Sequence, residues 1–120
     1  YIKDLSVALS SEEQAVEELS GGNQQKVVLA KWLATDTEVL ILDEPTRGID
    51  VGAKKEIYQL MVEFLKIGKS VIMISSDMQE LLGMSDRIVV LSKGRMIGEI
   101  EREKFTQERV LSYAAGIRME

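Results

Sequence analysis

The segment Val39-Leu40-Ile41-Leu42-Asp43-Glu44 decides the fold that we expect for this chain. Its apolar run, between turn-forming residues 35–37 and two adjacent acids, predicts a strand buried on both faces. Asp43 and Glu44 would then lie at the carboxyl end of this strand, where α/β sheets bind ligands. Asp43 could hold Mg²⁺ through water and Glu44 could polarise an attacking water. Taken alone, such a pair is more often a solvated strand exit or a helix cap.

The apolar spacing of the remaining chain predicts alternating helices and strands. Two helices are predicted over residues 10–19 and 23–34. A third contains the apolar face of Ile57 to Leu65 and ends at Gly68. A fourth runs from Ser76-Asp77 to about Gly83, and a fifth follows Thr106. Further strands are predicted over residues 70–74, 88–91 and 96–100, with a hairpin turn at residues 92–95. This order indicates an α/β fold with a parallel sheet and a small antiparallel addition near the end.

Two predictions about side chains follow from the same periodicity. Trp32 and the helix face of Met61, Phe64 and Leu65 are expected to be core residues. Lys26 is expected to be a solvated surface charge, which is the usual place for a lysine.

Composition excludes several classes of function. A chain of 120 residues with 45% apolar content is expected to form one compact unit. Its net charge of −5 argues against nucleic acid as the main partner. The absence of cysteine and histidine excludes disulfides, thiolate catalysis and Ser-His-Asp chemistry. No apolar run approaches the roughly 18 residues of a membrane span, and no signal peptide is evident, so a soluble unit is expected.

A second candidate site lies at Ser20-Gly21-Gly22-Asn23, just before a predicted helix. Paired glycines let backbone amides approach an anion, and the N-terminus of a helix carries partial positive charge. The segment is therefore a candidate phosphate cradle. In an isolated Ser-Gly-Gly, the more common alternative is that Gly21-Gly22 merely joins two helices.

The order of these segments resembles the ATPase domain of ABC transporters. Residues 19–25 resemble the signature motif, residues 39–44 the Walker B strand with its catalytic glutamate, and residues 45–50 the D-loop. Residues 70–77 are similar to the strand and switch segment, and residues 85–95 to the closing strands. The residues within these motifs are similar to those of the second ATPase domain of tandem-domain importers of ribose, galactose or xylose. Our first interpretation is that the chain resembles the ribose type.

The resemblance implies an architecture and a function. The chain would be the C-terminal part of a P-loop ABC ATPase domain, with residues 1–35 in the signature-helix region and residues 36–120 running from Walker B to the C-terminus. It would couple ATP hydrolysis, with Mg²⁺, to sugar import. Its partners would be a second ABC ATPase domain, transmembrane permease subunits and, indirectly, a periplasmic-type sugar-binding protein. The expected location is the cytoplasmic face of the cell membrane.

The resemblance also implies roles for particular residues. ATP held by the partner domain would be contacted by Ser20, Gly21, Gly22 and Asn23. Asp50 would couple the two ATP sites, Asp43 would bind the metal, and Glu44 would be the catalytic residue. Ser76 occupies the switch position, where the family usually has histidine. Because a serine hydroxyl cannot take histidine's charge or relay its proton, the site around Glu44 is expected to be the slower one.

The family's phosphate loop, Gly-x-x-x-x-Gly-Lys-Ser/Thr, does not occur in these 120 residues. The isolated chain is therefore expected to be inactive, to expose apolar surface and to self-associate. Two alternatives stay open at this point. One is an ABC ATPase of DNA repair or chromosome maintenance, and the other is a non-catalytic dimerisation or regulatory module.

Overall fold

The structure, a computed structural model, describes residues 21–118, with only the backbone given for residues 21, 22 and 33. The elements in chain order are α1 Gly21–Leu33, β1 Val39–Asp43, α2 Val51–Lys66, β2 Ser70–Ile74, α3 Met78–Met84, β3 Arg87–Ser92, β4 Arg95–Glu101, a 3₁₀ turn Arg102–Lys104 and α4 Gln107–Ala114. The predicted α/β class is confirmed. The helix predicted over residues 10–19 lies outside the described residues.

Tertiary contacts divide the chain into two units, Tyr1–Ile74 and Ser75–Glu120. Chain length alone had suggested a single compact unit. The assignment of residues 1–35 and 36–120 to two regions of an ATPase domain stays a prediction. Within the described part, no helix is long and apolar enough to cross a membrane.

The first unit contains a strand-helix-strand arrangement. β1 and β2 pair in parallel, in a register that runs from Val39 opposite Ser70 to Asp43 opposite Ile74. Helix α2 connects them, as the parallel pairing requires. Asp50 caps this helix by accepting a 2.9 Å hydrogen bond from the Ala53 amide. The side chains of Ile57, Met61 and Phe64 on α2 are buried.

The prediction that β1 is buried on both faces is wrong. Leu40 and Leu42 are buried, whereas Val39 and Ile41 are 50% and 64% exposed. In β2, Ile72 and Ile74 are also exposed. An apolar run predicts a strand, but how many of its faces are covered depends on which layers pack against it. The expected exposed apolar surface is confirmed, and self-association stays a prediction.

The predicted core of the helices is partly wrong. Met61 and Phe64 are buried, but Leu65 is 39% exposed because it lies about 100° around the helix from Phe64. Trp32 is 42% exposed, near the end of α1. The amine of Lys31 lies 5.8 Å from the centre of its ring. Helical spacing therefore identifies the buried stripe without fixing its edges.

The second unit contains the predicted hairpin. β3 and β4 pair antiparallel and are joined by Lys93 and Gly94, which both have positive φ, +50° and +76°. Two such residues are typical of a tight hairpin turn. Thr106 caps α4 by accepting a hydrogen bond from the Arg109 amide at 3.0 Å, as predicted. The buried cluster of this unit consists of Ile88, Val90, Ile100, Val110 and Tyr113.

Gly98 of β4 lies against the buried ring of Tyr113. A Cβ atom at position 98 would lie 2.7 Å from Tyr113 Cε2. We expect Gly98→Ala to lower the free energy of local unfolding of this unit by about 1–3 kcal/mol, because the ring must move. Hydrogen exchange of the β3 and β4 amides measures this quantity. Gly83→Ala is the control, since nothing lies within 4 Å of its added Cβ. Equal exchange in the two variants would contradict the expectation.

Candidate functional site

Within the described residues, helix α1 runs from Gly21 to Leu33, so Gly21 and Gly22 are helical. They are therefore not the connecting turn ahead of the helix that the sequence suggested. The first amides of a helix have no partner within the helix, and they carry the positive end of its dipole. Asn23 follows in the same turn and is half-buried. Ser20 lies outside the described residues, and its role stays a prediction.

Asp43 and Glu44 lie at the carboxyl end of β1, as predicted. Asp43 is the last residue of the strand and is exposed. Glu44 has φ of +51°, which is unusual for a residue other than glycine. Its amide donates a 2.8 Å hydrogen bond to the Ile74 carbonyl, and its own carbonyl accepts one from Arg47 at 3.2 Å. A strained residue held by several contacts is a frequent feature of functional sites.

The segment after Glu44 forms a closely packed loop that leads into α2. Pro45 is fully buried and Thr46 is 3% exposed. The Ile49 amide donates a 3.2 Å hydrogen bond to the Thr46 carbonyl. Asp50, at the end of the loop, is exposed and caps α2. Its position is therefore fixed by both the loop and the helix.

Lys26 of α1 contradicts the prediction of a surface charge. It is only 4% exposed, and its amine forms an ion pair with Glu56 of α2. Burial lowers the pKa of Lys26 below its ordinary value, and the negative charge of Asp50 partly opposes this shift. A buried lysine needs a partner, and here the partner is supplied by another helix. Nothing in the local sequence reveals that pairing.

In the second unit, a network of hydrogen bonds surrounds Ser76, the residue predicted to occupy the switch position. The Ser75 hydroxyl donates to the carboxylate of Glu80 and accepts from the Asp77 amide at 3.0 Å. Asp77 caps α3 by accepting from the Glu80 amide at 3.1 Å. Glu80 is 3% exposed, while Ser76 is exposed. The Asp77-x-x-Glu80 spacing of a capping box was the signal by which Glu80 could have been found.

A family model described as ABC transporter matches residues 3–47. The ribose import ATP-binding protein RbsA of Clostridium perfringens is 58% identical over 117 residues, or 98% of this chain. These findings show that the chain is similar to the ATP-binding proteins of ABC transporters.

A second relative and a solved structure show the same similarity. The galactose/methyl galactoside import ATP-binding protein MglA of Clostridium tetani is 55% identical over 94% of the chain. The dimeric ATP-binding cassette MJ0796, solved in a post-hydrolysis state with ADP and Pi, has a TM-score of 0.73 at 27% identity. That likeness covers 87% of this chain and 45% of the other. The chain spans 23% of the length of RbsA and 22% of that of MglA.

Proposed function

We propose that this chain is part of the ATP-hydrolysing subunit of a bacterial ABC sugar importer and helps to couple hydrolysis to carbohydrate uptake. The observation that carries the proposal is the 58% identity to a ribose import protein over 98% of the chain. Ribose is accordingly the first substrate we propose, with galactose as the second because of the likeness to MglA. The relatives named above give no support to the alternative of DNA repair or chromosome maintenance.

The start of α1 is the proposed contact with ATP. Ser20, Gly21, Gly22 and Asn23 would bind the phosphates of a nucleotide held mainly by a partner ATPase domain. In this proposal the N-terminus of the helix that contains Gly21 and Gly22 faces the nucleotide, where helix amides can donate to phosphate oxygens. Glycine leaves room for an anion to approach the backbone closely. Asp50, fixed at the N-terminus of α2, would couple the two nucleotide sites.

Asp43 is the proposed contact with Mg²⁺. The described residues contain no group of three acidic, histidine or cysteine side chains able to hold a metal. A single exposed carboxylate such as Asp43 fits Mg²⁺, which commonly takes one or two carboxylates together with waters and substrate phosphates. When bound, the ion would neutralise charge on the phosphate oxygens. The exposed carboxylate of Asp43 at the end of β1 is accessible for this role.

Glu44 is the proposed catalytic residue. Its carboxylate would orient an attacking water and accept its proton. The positive φ and the hydrogen bond to Ile74 hold its backbone in one conformation, which would limit the positions of the side chain. Ser76 would donate a hydrogen bond at the switch position but cannot carry a positive charge. We therefore propose that the site containing Glu44 is the slower of two.

The proposed partners are a second ABC ATPase domain and membrane permease subunits, with a sugar-binding protein acting through the permease. The chain would be the C-terminal part of the second ATPase domain of a tandem protein, at the cytoplasmic face of the membrane. Because these 120 residues lack Gly-x-x-x-x-Gly-Lys-Ser/Thr, we propose that they do not hydrolyse ATP alone. The dimeric state of the MJ0796 cassette supports the need for a second domain.

The test uses the full-length protein with its permease in proteoliposomes. We expect ATP-dependent uptake of ribose or galactose, with ATP hydrolysis stimulated by the sugar-loaded binding protein. Gly22→Asp should abolish both activities, because a carboxylate would repel the phosphates at the start of α1. Gly83→Asp, at an exposed glycine of α3, is the matched control and should retain them. Uptake that is indifferent to ATP would refute the proposal. Failure to bind ATP at either site would favour a regulatory module.

A further inference from the structure

Lys26 connects the two segments to which nucleotide roles are proposed. It lies four residues after Gly22 on α1, about 6 Å along the helix axis. Its partner Glu56 lies six residues after Asp50 on α2, about 9 Å along that axis. The ion pair between them therefore joins the N-terminal parts of two helices that follow the proposed contacts.

The burial of Lys26 distinguishes this pair from an ordinary surface ion pair. The side chain of Lys26 is 5% exposed and that of Glu56 is 44% exposed. Because so little of the Lys26 side chain reaches water, removing its partner Glu56 would leave a poorly solvated charge, so separation of the pair is costly. Asp50 adds a second negative charge that attracts the amine. By contrast, the pair Lys66–Glu63 is exposed on both sides and lies within one helix.

We propose that Lys26 is a positioning residue that makes the start of α1 and the D-loop carboxylate of Asp50 move as one body during the ATP cycle. The inference rests on the proposed function, which assigns both segments to nucleotide sites. Packing between α1 and α2 would also hold the helices together, and the ion pair adds a specific contact between these two positions. Lys26 thus acts through Glu56 and Asp50 and does not itself touch ATP.

The test compares Lys26→Met, Lys26→Arg and Lys31→Met in the full-length protein. Lys31 is an exposed lysine on the same helix and serves as the control. We expect Lys26→Met to lower kcat for ATP hydrolysis about tenfold, a usual size for lost coupling, with KM for ATP unchanged within about twofold. Lys26→Arg should keep kcat within about twofold of the wild-type value, since arginine retains the positive charge. A fall in kcat no larger than that of Lys31→Met would overturn the inference.

Hydrogen exchange supplies a readout that does not depend on turnover. In Lys26→Met, exchange should rise both in the first turn of α1 and in residues 50–54, whereas Lys31→Met should change neither. A rise confined to α1 would show only local loosening and would overturn the inference. If the wild-type protein does not hydrolyse ATP, the proposed function fails. The exchange of the two segments then decides separately whether Lys26 couples them.

Discussion

Replacing Ser20 with alanine in the full-length protein is expected to lower ATP hydrolysis about a hundredfold, the usual cost of losing one donor to a reacting phosphate or oxyanion. Replacing Glu44 with glutamine is expected to lower it by about threefold or less. We expect this difference because Ser20 is proposed to contact ATP held by the partner domain, whereas Glu44 is proposed to act at a site whose switch residue is Ser76. Steady-state rates of the two variants at saturating ATP measure the difference.

Two further variants sharpen this comparison. Ser70→Ala removes an exposed hydroxyl at the start of β2 and should leave the rate unchanged. Ser76→His introduces the residue usual at the switch position of ABC ATPase domains, and in its presence Glu44→Gln should cause a larger loss of ATP hydrolysis than it does alone. Equal losses for Ser20→Ala and Glu44→Gln in the original background would refute the proposed asymmetry.

Phe64→Ala is expected to lower the free energy of unfolding of the 120-residue chain by about 3–5 kcal/mol. The Phe64 side chain is 1% exposed and is among the largest fully buried side chains of the described residues. A loss of this size is a large part of the stability of an ordinary domain, about 5–15 kcal/mol. Urea unfolding followed by circular dichroism measures it.

The neighbouring residue provides the control for this prediction. Leu65 is 39% exposed, and Leu65→Ala should cost less than about 1 kcal/mol, since little apolar area returns to water. Similar urea midpoints for the two variants would mean that α2 does not form the core of its unit. They would also contradict the burial pattern that places Ile57, Met61 and Phe64 on one face.

Element order was determined by the sequence because its signals are local. The run Val39 to Leu42, the cap at Thr106 and the turn at Lys93-Gly94 each act over a few residues. The structure has these elements where they were predicted, with bounds that differ by a residue or two. The similarity to ABC transporter ATPase domains was also visible in the sequence, because the motifs at residues 19–25 and 39–50 have a characteristic composition and order. Roles of individual residues within those motifs are still predictions.

Tertiary structure alone decided which side chains are covered and which distant charges meet. Periodicity could not tell that Ile41 and Trp32 are exposed, because exposure depends on the layers packed against a strand or helix. Composition favoured Lys26 as a surface residue, but the contact between α1 and α2 buries it against Glu56. Glu44, which has a positive φ, likewise donates a hydrogen bond to Ile74 of β2, 30 residues further along the chain. Each of these features depends on residues far apart in the chain, and local sequence preference carries no information about which distant residues come together.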